Sequence, residues 1–169
     1  MEDAAELFSF GGPPTRPDEE VWFTFAVDPV CVRSTRVTFA EGGRSHGYRP
    51  KRITEYKARI RAMAMCQYSG KPWEGPVEVL PVTVCFKWPK STPKRIIEAW
   101  KAGQKIYHDR QRDLEDNLLK GVFDSLHGVI YTDDKNIVKS GGREKIYGPE
   151  GFIRIGFRRM PADTLLLPP

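Results

Sequence analysis

A chain of 169 residues holds enough material for one sizeable core and not for two. Its hydrophobic content of 40% and charged content of 29% are ordinary for a soluble domain. No apolar run approaches the ~18 residues of a membrane span and no signal segment opens the chain, so the expectation is a cytosolic protein without a membrane partner.

The net charge of +5 understates the body of the protein. Residues 1–20 carry six acids (Glu2, Asp3, Glu6, Asp18, Glu19 and Glu20) against Arg16, leaving 26 basic and 16 acidic residues over 21–169, a balance of +10. A basic body suits a bound polyanion, and it also suits plain solubility. Cys31, Cys66 and Cys85 are odd in number and lack CxxC spacing, which argues against a disulfide framework or a zinc site.

In chain order, residues 1–20 contain GGPPTRP and many acids and are expected as a flexible tail; 21–160 form the fold, and 161–169 a second loose end. Trp22–Val27 is a β-branched and aromatic run that predicts a strand, which Arg33–Phe39 continues or pairs with. EGGRSHG at 41–47 predicts a loop. Ile53, Tyr56, Ile60 and Met63 recur at helical spacing, so a helix is expected over about 53–68, stopped by Ser69-Gly70-Lys71-Pro72. Val77–Phe86 predicts a strand interrupted at Pro81, marking an edge or a bulge. Ser91-Thr92-Pro93 offers an N-cap and first-turn proline to a short basic helix ending near Ala102. A strand near Val129–Thr132, a turn at 141–143 and a closing strand at 151–157 complete the order. Strands and helices mix without regular βαβ repetition, so the class is α+β, with a mixed, largely antiparallel sheet packed with helices.

The segment RDLEDNLLKGVFDSLHGVIYTDDKNIVK (112–139) carries the chemistry. At about 100° per residue, with Asp116 as zero, Lys120 falls near 40°, Asp113 near 60° and Asp124 near 80°. Leu118, Leu119, Val122 and Leu126 fall at roughly 200–300°, giving one core face and one acidic face. Glu115 would fall at about 260°, in the apolar stripe, where an unpaired carboxylate is costly. The helix is therefore expected to begin near Asp116, with Asp113–Glu115 in the approach. An exposed helix laced by Asp116–Lys120 and Lys120–Asp124 pairs would read the same way. Asp133-Asp134, after a strand, shifts the balance. Adjacent strand residues face opposite ways, so one of the two can join the helix carboxylates. Clustered carboxylates are tolerated where a hard cation such as Mg²⁺ (or Mn²⁺ in its place) offsets them, and such an ion suits phosphodiester hydrolysis. Lys120 could balance charge on the phosphorane or merely balance the aspartates.

Weaker candidates surround this set. His46, His108 and His127 share no motif spacing and read as loop or surface residues. Trp73, Trp88 and Trp100 could stack on bases, although core packing explains each more simply. Arg33, Arg36, Arg49, Lys51 and Arg52, around the first loop, are the expected phosphate contacts.

The pattern DN-x-x-K-x-x-x-D (Asp116, Asn117, Lys120, Asp124) followed by Y-x-DD (Tyr131, Asp133, Asp134) resembles the RusA-type Holliday junction resolvases. PVCVRSTRVTF (29–39), Tyr48-Arg49-Pro50-Lys51 with Glu55-Tyr56, and the closing strand extend the likeness over roughly 21–158. The resemblance implies a homodimeric, Mg²⁺-dependent endonuclease of bacteria or their phages that resolves four-way DNA junctions by paired nicks in recombination and repair. It implies Asp116 and Asp134 as metal ligands and Lys120 as the catalytic lysine. The family writes D-x-D-N, whereas Leu114 stands two residues before Asp116 here, so Asp113 is taken as the first ligand, with Glu115 and Asp133 as alternates. The stretch 91–111, rich in Lys and Arg, is a further departure. A less selective branched-DNA nuclease, a catalytically degenerate junction-binding dimer and a purely structural dimer are the competing readings.

Overall fold

The computed structural model describes residues 20–32, 36–39, 45–48, 50–109 and 118–160. The expected tails at 1–20 and 161–169 lie outside these residues, except Glu20, whose carboxylate accepts from Trp22 Nε1 (3.1 Å) and pairs with Arg158.

The spine of the sheet is β9 (Phe152–Arg159). On one side it pairs antiparallel with β1 (Val21–Phe25), from Val21 opposite Phe157 to Phe25 opposite Ile153. On the other side lie β4 (Val77–Val79) and β5 (Val82–Lys87). These two form one lane broken at Leu80-Pro81. Val79 faces Phe157 and Thr83 faces Arg154, so four steps on one strand match three on the other, which is a β-bulge. The bulge, not an edge, explains the proline.

Beyond that lane run β7 (Ile137–Ser140) and β8 (Arg143–Gly148), parallel to β4 and β5, with β6 (Ile106–Tyr107) outermost and antiparallel to β8. The turn expected at 141–143 is instead a continuation of this lane past the bulge. Gly141 N–H donates to Val79 (2.7 Å) and Val82 N–H to Gly142 (2.9 Å). A Cβ on Gly141 would stand 2.9 Å from the Pro81 nitrogen, so glycine permits the close approach. The result is an α+β fold with a mixed seven-stranded sheet.

A separate hairpin pairs β2 (Arg36–Phe39) with β3 (Ser45–Tyr48). Residues 36–39 therefore pair with β3 and not with the first strand, and 45–47 belong to a strand where a loop was expected, while 33–35 and 41–44 lie outside the described residues.

Helix α1 (Lys51–Gln67) buries Ile53, Tyr56, Ile60 and Ala64, the predicted stripe with Ala64 for Met63. Helix α2 (Lys94–Lys101) begins one residue later than expected: Pro93 is its N-cap, and the Thr92 hydroxyl donates back to Pro89 (2.7 Å) instead of capping. Helix α3 (Lys120–Leu126) follows Leu118 and Leu119, which are themselves in a wide π turn. Leu118, Leu119, Val122 and Leu126 are all fully buried, as the angular reading requires.

The core lies between one sheet face and the α1–α3 pair. Ile153, Ile155 and Phe157 point in with Phe23 and Phe25, while Arg154 and Trp22 stay outside, Arg154 5.1 Å above the Trp22 ring. Each buried aromatic or branched side chain contributes on the order of 1.5–3 kcal/mol. The expected strand at 129–132 is a turn over 128–130 followed by isolated bridges from Tyr131 to Trp73 and to His127. Trp73 is buried against Tyr68 (6.3 Å), and Trp88 packs edge-on against Trp100 (5.6 Å). His108 is not a surface residue: it is buried and stacked between Phe86 and Tyr147.

Candidate active site and nucleic-acid interface

The site is built from α1, α3 and the turn after α3. Gly121 is buried where α3 meets α1; a Cβ there would fall 2.5 Å from Val32 Cγ2 and 3.5 Å from Tyr56. Asp124 pairs with Lys57 of α1, and both side chains are largely covered, at 32% and 16% exposure. Arg61 donates to the Ser125 (3.4 Å) and His127 (2.7 Å) carbonyls, which end α3. These contacts ascend together along both helices, so α1 and α3 run in the same direction. Lys51 and Arg52, exposed at the start of α1, therefore lie toward the end of α3 at which Lys120 stands.

Two cations in the first turn of a helix oppose its dipole. Among the described residues only the Lys51–Glu55 contact at 3.7 Å offsets them, between side chains 86% and 64% exposed. Such an end, with exposed cations at the positive pole of the helix, suits a phosphate.

Tyr131 is the strut beneath α3. Its ring packs against Phe157 of the sheet (5.9 Å) and its hydroxyl donates to the Phe123 carbonyl (2.8 Å). Burial first, then the negative charges of Asp134 and Asp124, hold its phenol well above the ordinary value. Those two carboxylates thus act on one buried ring from the turn and from the helix.

The adjacent aspartates divide their roles. Asp133 caps the 3-10 turn Asp134–Asn136, accepting from Lys135 N (3.1 Å), and its other oxygen lies 3.3 Å from Lys135 Nζ. These bonds hold its carboxyl below the usual range. Asp134 is exposed, and among the described residues it has no ion-pair partner. Lys120 is likewise exposed, with no ion-pair partner among the described residues. Asn136 donates to Thr132 Oγ1 (2.9 Å) and the His127 ring to Thr132 O (2.8 Å), which fixes the loop that presents Asp134.

Asp113, Glu115 and Asp116 lie outside the described residues, as do Arg33 and Arg49. Among the described residues no three His, Cys, Asp or Glu groups gather into a metal cluster. The partner of Asp124, Lys57, escaped the sequence reading because the two are 67 positions apart and no local pattern marks the pair. Asp124 is used in packing the helices together, so it is a structural residue beside the site.

A family model described as endodeoxyribonuclease RusA matches residues 27–156. The chain belongs to the RusA endodeoxyribonuclease family. The match spans both helices and the Tyr131–Asp134 loop, and it agrees with the resemblance carried by Asp116, Lys120 and Asp134. No curated protein matches the chain closely enough to count as a relative. As a RusA-family member the chain is read as a nuclease acting on DNA. No helix among the described residues is long and apolar enough to cross a membrane.

Proposed function

We propose that this RusA-family chain is a Mg²⁺-dependent endonuclease that resolves four-way DNA junctions, as a homodimer in which twofold-related sites nick opposing strands. The observation that carries the reading is the division of the acidic residues: Asp133 and Asp124 are engaged by lysines, while Asp134 is exposed and without an ion pair among the described residues.

The donor set fits a hard cation, because it is made of carboxylate oxygens with an uncommitted member at Asp134. Asp113, Asp116 and Asp134 would hold the ion, with Glu115 the alternate to Asp113. When bound, it supplies Lewis-acid polarisation of the phosphodiester and activation of water. Lys120, uncommitted among the described residues, offsets the negative charge that builds on the phosphorane. Lys51 and Arg52 hold the backbone phosphates at the start of α1, joined by Arg33, Arg36 and Arg49 of the preceding segment. The fixed Tyr131 strut keeps Asp134 and α3 in register during this chemistry.

The test is incubation of the protein with labelled four-way junctions and matched linear duplexes, in Mg²⁺, in Mn²⁺ or in EDTA. Symmetric nicking confined to junctions supports the proposal. Cleavage of every DNA indicates a less selective nuclease, and tight junction binding without cleavage indicates a binding dimer whose first aspartate no longer serves. Asp116→Asn is expected to keep junction binding and lose cutting.

A further inference from the structure

We propose that the groove between α2 and the β6–β8 edge seats an unpaired nucleobase of the DNA, an inference that rests on the nuclease reading above. The groove holds about 340 Å³, within the ~300–1,000 Å³ usual for sites that enclose a small flat ligand. Trp88 and Tyr147 give it aromatic walls, Pro93, Ile96 and Ile106 line it with carbon, and Asp109 stands among its few polar groups. Helix α2 is strongly amphipathic, yet none of its residues is fully buried, so its apolar side is only partly used by the fold.

The surroundings select the occupant. From Lys87 to Lys105 the chain carries six basic residues and a single acid, Glu98. Lys87 and Lys105 pair with Glu150 and Glu144, which leaves Lys90, Lys94, Arg95 and Lys101 exposed with no ion-pair partner among the described residues. An apolar, aromatic slot ringed by uncommitted cations is complementary to a base with its phosphates, since any base can stack and the backbone meets the cations. The Asp109 carboxylate accepts from a base amino group. Base pairs at a branch point lose part of their stacking and open at lower cost than those inside a continuous duplex, so the slot would favour branch points.

The test uses the full chain in EDTA at fixed salt. Affinity is measured for a duplex with one unpaired 2-aminopurine, for the same duplex with an abasic residue there, and for a fully paired duplex. The base is expected to bind about tenfold more tightly than the abasic site, with its fluorescence quenched by stacking. Ile96→Trp, which fills the groove and leaves every cation in place, should erase both the gap and the quenching while paired-duplex affinity stays at the wild-type level. Equal wild-type affinities for base and abasic DNA overturn the proposal without any variant. A gap that survives in an Ile96→Trp protein melting like wild type also overturns it, and a changed sedimentation of that variant with the gap intact assigns the groove to protein contact instead. Because no cleavage is read, failure of this idea and of junction nicking are separable: nicking without the gap sinks only the groove, and the gap without nicking sinks only the resolvase.

Discussion

The Tyr131 hydroxyl donates to the Phe123 carbonyl across 2.8 Å, tying the loop that presents Asp134 to the body of α3. The bond is local in space and long in consequence, because the Tyr131 ring also rests on Phe157 at the centre of the sheet. Replacing Tyr131 by Phe keeps the ring and removes the bond, leaving a helix carbonyl without that donor. The expected loss is about 1 kcal/mol in chemical denaturation. Nicking at saturating DNA should fall more than junction affinity does. Unchanged stability would show that the bond contributes nothing.

The aspartates should separate by readout. Asp134→Asn is expected to reduce nicking on the order of 100-fold or more while the melting temperature and junction binding hold. Asp124→Asn should do the reverse, because it weakens the ion pair with Lys57 that joins α1 to α3. Its cost lies between the few tenths of an exposed pair and the ~3 kcal/mol of a buried one. Asp133→Asn, which loses the pair with Lys135, should retain most activity. Nicking rates and thermal melts of the three proteins decide between these roles.

Gly121→Ala tests the helix contact directly. Alanine ordinarily favours a helix by about 1 kcal/mol over glycine. Here its methyl would meet the buried Val32 side chain at 2.5 Å, so α3 or the 30–32 segment must move. Overpacking of this kind costs roughly 1–3 kcal/mol, and a net loss of stability is expected. A melting temperature above wild type would mean that Val32 yields freely.

Acid should weaken the far side of the sheet. The Lys139 ammonium hydrogen-bonds Glu78 (2.8 Å), and with Arg158 at 3.1 Å it holds that carboxyl below the usual range. A carboxylate with a depressed folded value adds stability that is complete above its unfolded value, near ~4.3, and is lost as pH falls through the folded value. Glu78→Gln should therefore melt below wild type at neutral pH, and the difference should shrink as the pH falls below the unfolded carboxylate value. A gap that stays constant from neutral pH down would reject the ionic origin.

Much of the fold was legible because local pattern and tertiary burial agree. Ile53, Tyr56 and Ile60, then Leu118, Leu119, Val122 and Leu126, and the alternation of Ile153, Ile155 and Phe157 all face the core, as their spacing requires. The lanes at 137–148 and 106–107 gave no such signal. Their side chains are half-covered or exposed, rich in Lys, Arg and Glu, so neither face carries an apolar alternation. The strand state of β7 and β8 is set by pairing with β4 and β5, residues some sixty positions away, and that of β6 by pairing with β8. The same reason misassigned Gly141-Gly142: two glycines beside a charged run resemble a turn until the Pro81 bulge is placed next to them.

For the site, the sequence by itself determined the inventory of groups: Asp113, Asp116 and Asp124, Lys120 among them and the Asp133-Asp134 pair, on a basic chain of a nuclease family. Residue type and spacing suffice there, because the charge a segment carries depends only on which groups are present. Only the tertiary structure decided which groups are already engaged. It joins Asp124 to Lys57, ties Asp133 to Lys135, leaves Asp134 exposed, and aligns the starts of α1 and α3. Apart from the neighbouring Asp133 and Lys135, those outcomes depend on contacts between segments distant in the chain, and no local periodicity encodes that Lys57 meets Asp124.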